Sequence, residues 1–164
     1  MGDVIQFTTV VRAKSEDTHY KAKYTALICF DARKRHLYDK FREQNGLAET
    51  DIDIISTAGG AKKLASPGHD YERLAVFDDI YDSISLHDPD KIILMVHQGC
   101  GKYAKKFDNP DLEREFYLAE LNKAADVLEE FLRSKSIEKD IILHYASFEE
   151  GLHEVERVRE LEAA

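Results

Sequence analysis

The sequence predicts a single α/β domain with a mainly parallel β-sheet flanked by helices. Two observations carry this. Four short runs rich in isoleucine, valine and leucine do not alternate with polar residues, as in strands covered on both faces. Helical periodicities lie between them, and strands alternating with helices imply parallel pairing with right-handed crossovers. A chain of 164 residues fits one domain spanning 1–164, and 43% hydrophobic with 34% charged residues fits a globular core. No repeat, low-complexity tract or linker divides it.

The first run, Tyr24 to Phe30, is the first strand. Leu37 and Phe41 then mark one face of a helix that Asn45-Gly46 stops. The second strand is Ile52 to Ile55. Leu74, Phe77, Ile80, Tyr81 and Ile84 recur at helical spacing between Tyr71 and Ile84. Asp88-Pro89-Asp90 turns the chain into the third strand, Lys91 to Val96. Asn109-Pro110 opens the longest helix, Asp111 to Ser134. Leu112, Phe116, Leu121, Ala125, Leu128 and Leu132 line one side of it. Ile141 to Tyr145 is the fourth strand. Residues 1–23 read as an N-terminal arm. Residues 148–164 are open: Leu152, Val155, Val158 and Leu161 fit a helix as well as a strand.

The formal net charge is −9, which argues against a nucleic-acid partner. No apolar run reaches the ~18 residues of a membrane span. The first residues lack the basic start and apolar stretch of a signal peptide, so a cytoplasmic location is the expectation. Two cysteines without export signals do not suggest a disulfide framework. Lys62-Lys63 and Lys102, Lys105 and Lys106 follow apolar runs. They read either as a solvated rim or as a field that draws a small anion.

The cysteines carry the chemistry. Cys29 ends the first strand, and His97 directly follows the third, with Cys100 three residues on. Ligands of open parallel sheets bind beyond the carboxyl ends of the strands, so all three residues reach one edge. Two thiolates and an imidazole form a three-ligand zinc set with a fourth position for water or a carboxylate such as Asp31. Gly99 and Gly101 keep side chains away from Cys100. The plainer alternatives are a buried apolar cysteine and a structural histidine.

Cys29-Phe30-Asp31-Ala32-Arg33 resembles the Cys-x-Asp-x-Arg motif of the β-class carbonic anhydrases. His97-Gln98-Gly99-Cys100-Gly101 is similar to their His-x-x-Cys-Gly motif. Ser56-Thr57-Ala58-Gly59-Gly60 resembles their basic-x-Ala-Gly-Asn segment. It has Ser56 in place of the basic residue and Gly60 in place of Asn, as a divergent relative would. The resemblance spans roughly residues 24 to 152, including a turn at Gly151. It implies Zn2+ held by Cys29, His97 and Cys100, and reversible hydration of CO2 to bicarbonate by a zinc-bound hydroxide.

The resemblance further implies an Asp31–Arg33 dyad, in which Asp31 either orients the nucleophile or closes the site as fourth ligand. Ala58, Gly59, Gly60 and Gly101 would surround the substrate. A homodimer or higher homo-oligomer follows by analogy, with the N-terminal region as an exchange arm. The departures leave two alternatives: hydrolysis of COS or CS2, and anion binding without catalysis. A metal-free thiol or redox site, or a structural metal site, is the third reading. His36 and His69 are candidates for a proton relay, and Lys102 and Tyr103 for the pocket mouth. His19, His87, His144 and His153 have no ligand spacing.

Overall fold

The computed structural model describes residues 18–149 and 152–163. The elements are β1 (Tyr24–Cys29), α1 (Ala32–Gln44), β2 (Ile52–Thr57), α2 (Lys62–Ala65) and α3 (Asp70–His87), followed by β3 (Lys91–His97), α4 (Pro110–Ser134), β4 (Asp140–Glu149) and β5 (Leu152–Leu161). They form one five-stranded sheet in the order β2-β1-β3-β4-β5. The first four strands are parallel and β5 is antiparallel to β4.

Alternate side chains of the central strands feed two layers. Leu27, Ile92, Leu94, Val96, Ile141 and Leu143 pack against α2, α3 and α4. Ala26, Ile28, Ile93, Met95 and Ile142 pack against Leu37 and Tyr38 of α1. The fold is therefore a sheet between helices, as the uninterrupted apolar runs predict.

Three details differ from the sequence reading, and one point it left open is resolved. β2 is an edge strand, and its burial alternates instead of being complete. The C-terminal segment is a strand, because β4 offers it an antiparallel partner that periodicity alone cannot reveal. On α3 the buried stripe is Glu72, Val76, Ile80 and Ser83, while Leu74 and Tyr81 are exposed. Ser83 Oγ lies 2.5 Å from Thr25 Oγ1, so a polar contact occupies a core position and disguises the stripe. On α4 Leu112 is exposed and Tyr117 is buried instead. The first turn of α4 reaches past the strand ends to the loop after β3, where Glu113 meets Gly99.

Residues 1–17 and the turn at Gly151 lie outside the described residues. The rest of the expected arm is tied to the chain's own sheet. Tyr20 Oη donates to Asp53 Oδ1 at 2.9 Å, and the Ala22 amide donates to the His87 carbonyl. Among the described residues no helix is long and apolar enough to cross a membrane.

Candidate metal centre

Cys29 is the last residue of β1 and His97 the last of β3. Parallel pairing of these adjacent strands delivers both to the same sheet edge. Gln98 and Gly99 then turn the chain back, with Gly99 at φ +65° in the left-handed region where glycine is unstrained. The turn returns Cys100 to the core. The Sγ atoms of Cys29 and Cys100 and a ring nitrogen of His97 all lie within 4.8 Å of one another, and all three residues are buried. Among the described residues this is the one cluster of His, Cys, Asp and Glu able to hold a metal ion.

The donor atoms fit a zinc ion. His97 Nδ1 lies 2.8 Å from the Gln98 carbonyl oxygen, which can only accept, so Nδ1 carries the proton. That leaves Nε2 with a lone pair, and it is buried without a hydrogen-bond partner. A buried, unpaired nitrogen beside two thiols is costly unless it ligates something. The sulfurs are prepared as well. The Cys100 thiol bonds to the Cys29 sulfur and draws Cys29 well below the ordinary thiol range. The backbone amides of Asp31 and Gly59 also point at Cys29, the latter from 3.4 Å. Cys100 is pushed up, first by that same shared proton and then by burial. One proton between two thiols is what a divalent cation would displace.

Asp31 is turned toward Arg33. Its Oδ1 accepts from the Arg33 backbone amide and Nε, both at 3.0 Å, and its Oδ2 accepts from Nη2 at 2.6 Å. The guanidinium holds this carboxyl at about 2. The local cause is helix initiation: Asp31 is the N-cap of α1, and Arg33 lies in its first turn. A cavity of about 410 Å³ opens beside the dyad, lined by Arg33, Lys34, Gln98, Gly99, Glu113 and Phe148.

The turn after β2 closes the other side. The Gly59 amide reaches Cys29. Gly60 has φ +54°, and a Cβ there would stand 2.7 Å from the Met95 carbonyl oxygen and 2.9 Å from the Cys29 amide. The backbone passes so close to β1 and β3 that no side chain fits without displacement. Ala58 is half-buried in the same turn. Gly101 is exposed, and a Cβ on it would meet open space, so its backbone does not require glycine.

The other candidates stand outside the Cys29–His97–Cys100 set, although Tyr103 packs beside it and its amide donates to the Cys100 carbonyl. His36 lines a cavity between α1 and the β4–β5 pair. His69 precedes α3 with its ring stacked on Tyr71. Tyr103 is buried among Phe116 and Tyr117. Lys102 pairs with Glu72, Lys62 lies over the Tyr103 ring and Lys105 over the Phe116 ring. These lysines are engaged in packing and pairing. The sequence reading missed Glu113 and Tyr117, whose side chains accept from the Gly99 and Cys100 amides. They are 14 and 17 residues away from those amides, and no spacing rule links a helix to the loop before it.

No family model matches the chain. It is 28% identical over 137 residues to an uncharacterized protein of Rickettsia conorii, covering 78% of this chain and 73% of that one. An uncharacterized protein of Rickettsia bellii is 28% identical over 130 residues, covering 74% and 79%. Among solved structures, a carbonic anhydrase from Streptococcus mutans superposes with a TM-score of 0.58 at 17% identity, over 89% of this chain and 88% of that one. A β-carbonic anhydrase from Trichomonas vaginalis gives 0.53 at 14% identity, over 88% and 87%. The fold is that of the β-carbonic anhydrases. At this identity the likeness concerns the fold alone.

Proposed function

We propose that the protein is a zinc-dependent carbonic anhydrase that hydrates CO2 reversibly to bicarbonate. One observation carries the reading: a buried Cys29–His97–Cys100 cluster, with an unpaired imidazole nitrogen, beside a bidentate Asp31–Arg33 pair. The β-carbonic-anhydrase fold supports it.

Cys29, His97 and Cys100 would hold the metal, which when bound would supply an acidified water as nucleophile at neutral pH. Two anionic sulfurs oppose that acidification, so the orientation of the attacking oxygen matters more. Asp31 provides it. With its pKa at about 2 it holds no proton at neutral pH and acts as an acceptor, not a general base. Arg33 grips both of its oxygens, through the backbone amide and Nε at Oδ1 and through Nε and Nη2 at Oδ2, and so keeps the carboxylate charged as an acceptor for the attacking water. The water oxygen adds to the carbon of CO2, a C=O electron pair moves onto oxygen, and the proton leaves to buffer. Arg33 and Lys34 line the neighbouring cavity together with Glu113, so both signs of charge border it.

Gly60 stands where the family motif carries Asn, and substrate choice is the point that departure touches. A stopped-flow assay of zinc-loaded protein with CO2, COS and CS2 tests the reading. Turnover of CO2 alone is expected. Hydrolysis of COS or CS2 without CO2 hydration, or no turnover of any of the three at full zinc occupancy, contradicts it. A homodimer is part of the same reading. It is supported by the edge of β2, which has no strand partner among the described residues and exposes Ile54, and by Leu74 and Leu86 exposed on α3.

A further inference from the structure

The loop that carries Cys100 is held from outside its own strand. Glu113 Oε1 accepts from the Gly99 amide at 2.8 Å, and Tyr117 Oη accepts from the Cys100 amide at 3.1 Å. The two side chains are four residues apart on α4 and so share one face. They take consecutive amides, one of them that of the cysteine itself.

Both acceptors are fixed in space. Tyr117 is buried, with the rings of Tyr103, Phe107, Phe116 and Tyr145 around it. Its helix is capped by Asn109, whose Oδ1 accepts from the Asp111 amide at 2.7 Å. The helix is then seated on the sheet by Leu121, Ala125, Leu128 and Leu132. Gly99 is in the left-handed region, which the loop would leave more readily without a partner for its amide.

We infer that Glu113 and Tyr117 are positioning residues for the metal centre. They reference the Cys100 sulfur to α4, while Cys29 and His97 are referenced to β1 and β3. Neither side chain belongs to the ligand cluster. They act through the backbone, by limiting how far Cys100 can move when the metal is bound. The inference rests on the zinc reading.

Titration of the purified protein with zinc and with cobalt(II), against a competing chromophoric chelator, tests it. Glu113→Ala and Tyr117→Phe are expected to weaken both metals about 10- to 100-fold, the usual effect of losing a group that orients a ligand. They should also speed metal release and alter the cobalt d–d and sulfur-to-cobalt bands, which a merely structural role would not move. Glu113→Gln keeps an acceptor oxygen and is expected to restore most of the affinity. Wild-type affinity and an unchanged cobalt spectrum in both variants overturn the inference with the zinc reading intact. If the wild-type chain binds neither metal near one per chain, both fall together. Should Tyr117→Phe not fold, the Glu113 pair decides alone, because that side chain is only half-buried.

Discussion

Asp31 ties the start of a helix to a charged pair beside the cysteine–histidine cluster. Its carboxylate starts α1 by accepting from the Arg33 amide, and the same oxygens grip the guanidinium. Asn caps helices about as well as Asp, so Asp31→Asn should preserve α1 while removing the charged acceptor. The expected result is unchanged zinc content with kcat/KM for CO2 reduced by roughly 100-fold, the scale of losing the group that orients a reacting atom. Full activity in that variant would assign Asp31 to the helix alone. Gly60 makes a similar point. The sequence shows it only as a departure from a motif, whereas the structure shows a backbone wedged against Met95 and Cys29. The convergence of Cys29, His97 and Cys100 was legible from the sequence because strand ends and loop spacing suffice to bring them together. The unpaired Nε2 of His97 was not, since it depends on which nitrogen the Gln98 carbonyl claims.

At the scale of elements, the sheet separates its chemistry from its anchoring. The Cys29–His97–Cys100 cluster stands at the carboxyl ends of β1 and β3. At the amino end of β2, Asp53 accepts from Tyr20 Oη at 2.9 Å and from Ser83 Oγ at 2.7 Å, and lies 2.7 Å from His87 Nδ1. Asp53 pairs with Thr25 in register, and Thr57 with Cys29. The network is thus four residues, about 13 Å, from the metal end. Asp53→Ala should cost roughly 2–4 kcal/mol by stranding several donors, while zinc affinity stays at the wild-type value. Urea unfolding and metal titration of the same variant measure both, and a parallel loss of zinc would contradict the separation. Strands β1, β3 and β4 were legible because burial on both faces leaves an apolar run. The stripe on α3 was not, because Ser83 and Glu72 occupy buried positions that periodicity reserves for apolar residues. Helix α2, four residues long, is too short to show a period.

For the whole molecule, His144 links folding to pH. It sits buried on β4 between Tyr38 and Phe41, and burial, reinforced by Arg157, lowers its pKa to about 4. Its unfolded value is about 6.5. Between these values the unfolded chain takes up a proton that the native chain refuses. Stability is therefore complete above about pH 6.5 and falls as the pH drops toward 4. The accumulated loss is about 3 kcal/mol. Urea midpoints at pH 7 and pH 4.5 measure it, and His144→Gln should flatten much of the difference. An equal slope in that variant would place the acid sensitivity elsewhere.

Zinc K-edge absorption on protein purified under reducing conditions, together with metal stoichiometry, tests most directly whether two strand ends and one loop assemble a single zinc centre. A zinc centre of this kind holds about one zinc per chain, with two sulfurs at about 2.3 Å and nitrogen or oxygen neighbours at about 2.0 Å. In Cys100→Ser the sulfur shell should change and the metal should be lost, if Cys100 is a ligand. Protein free of metal, or a zinc shell without sulfur, would contradict such a centre.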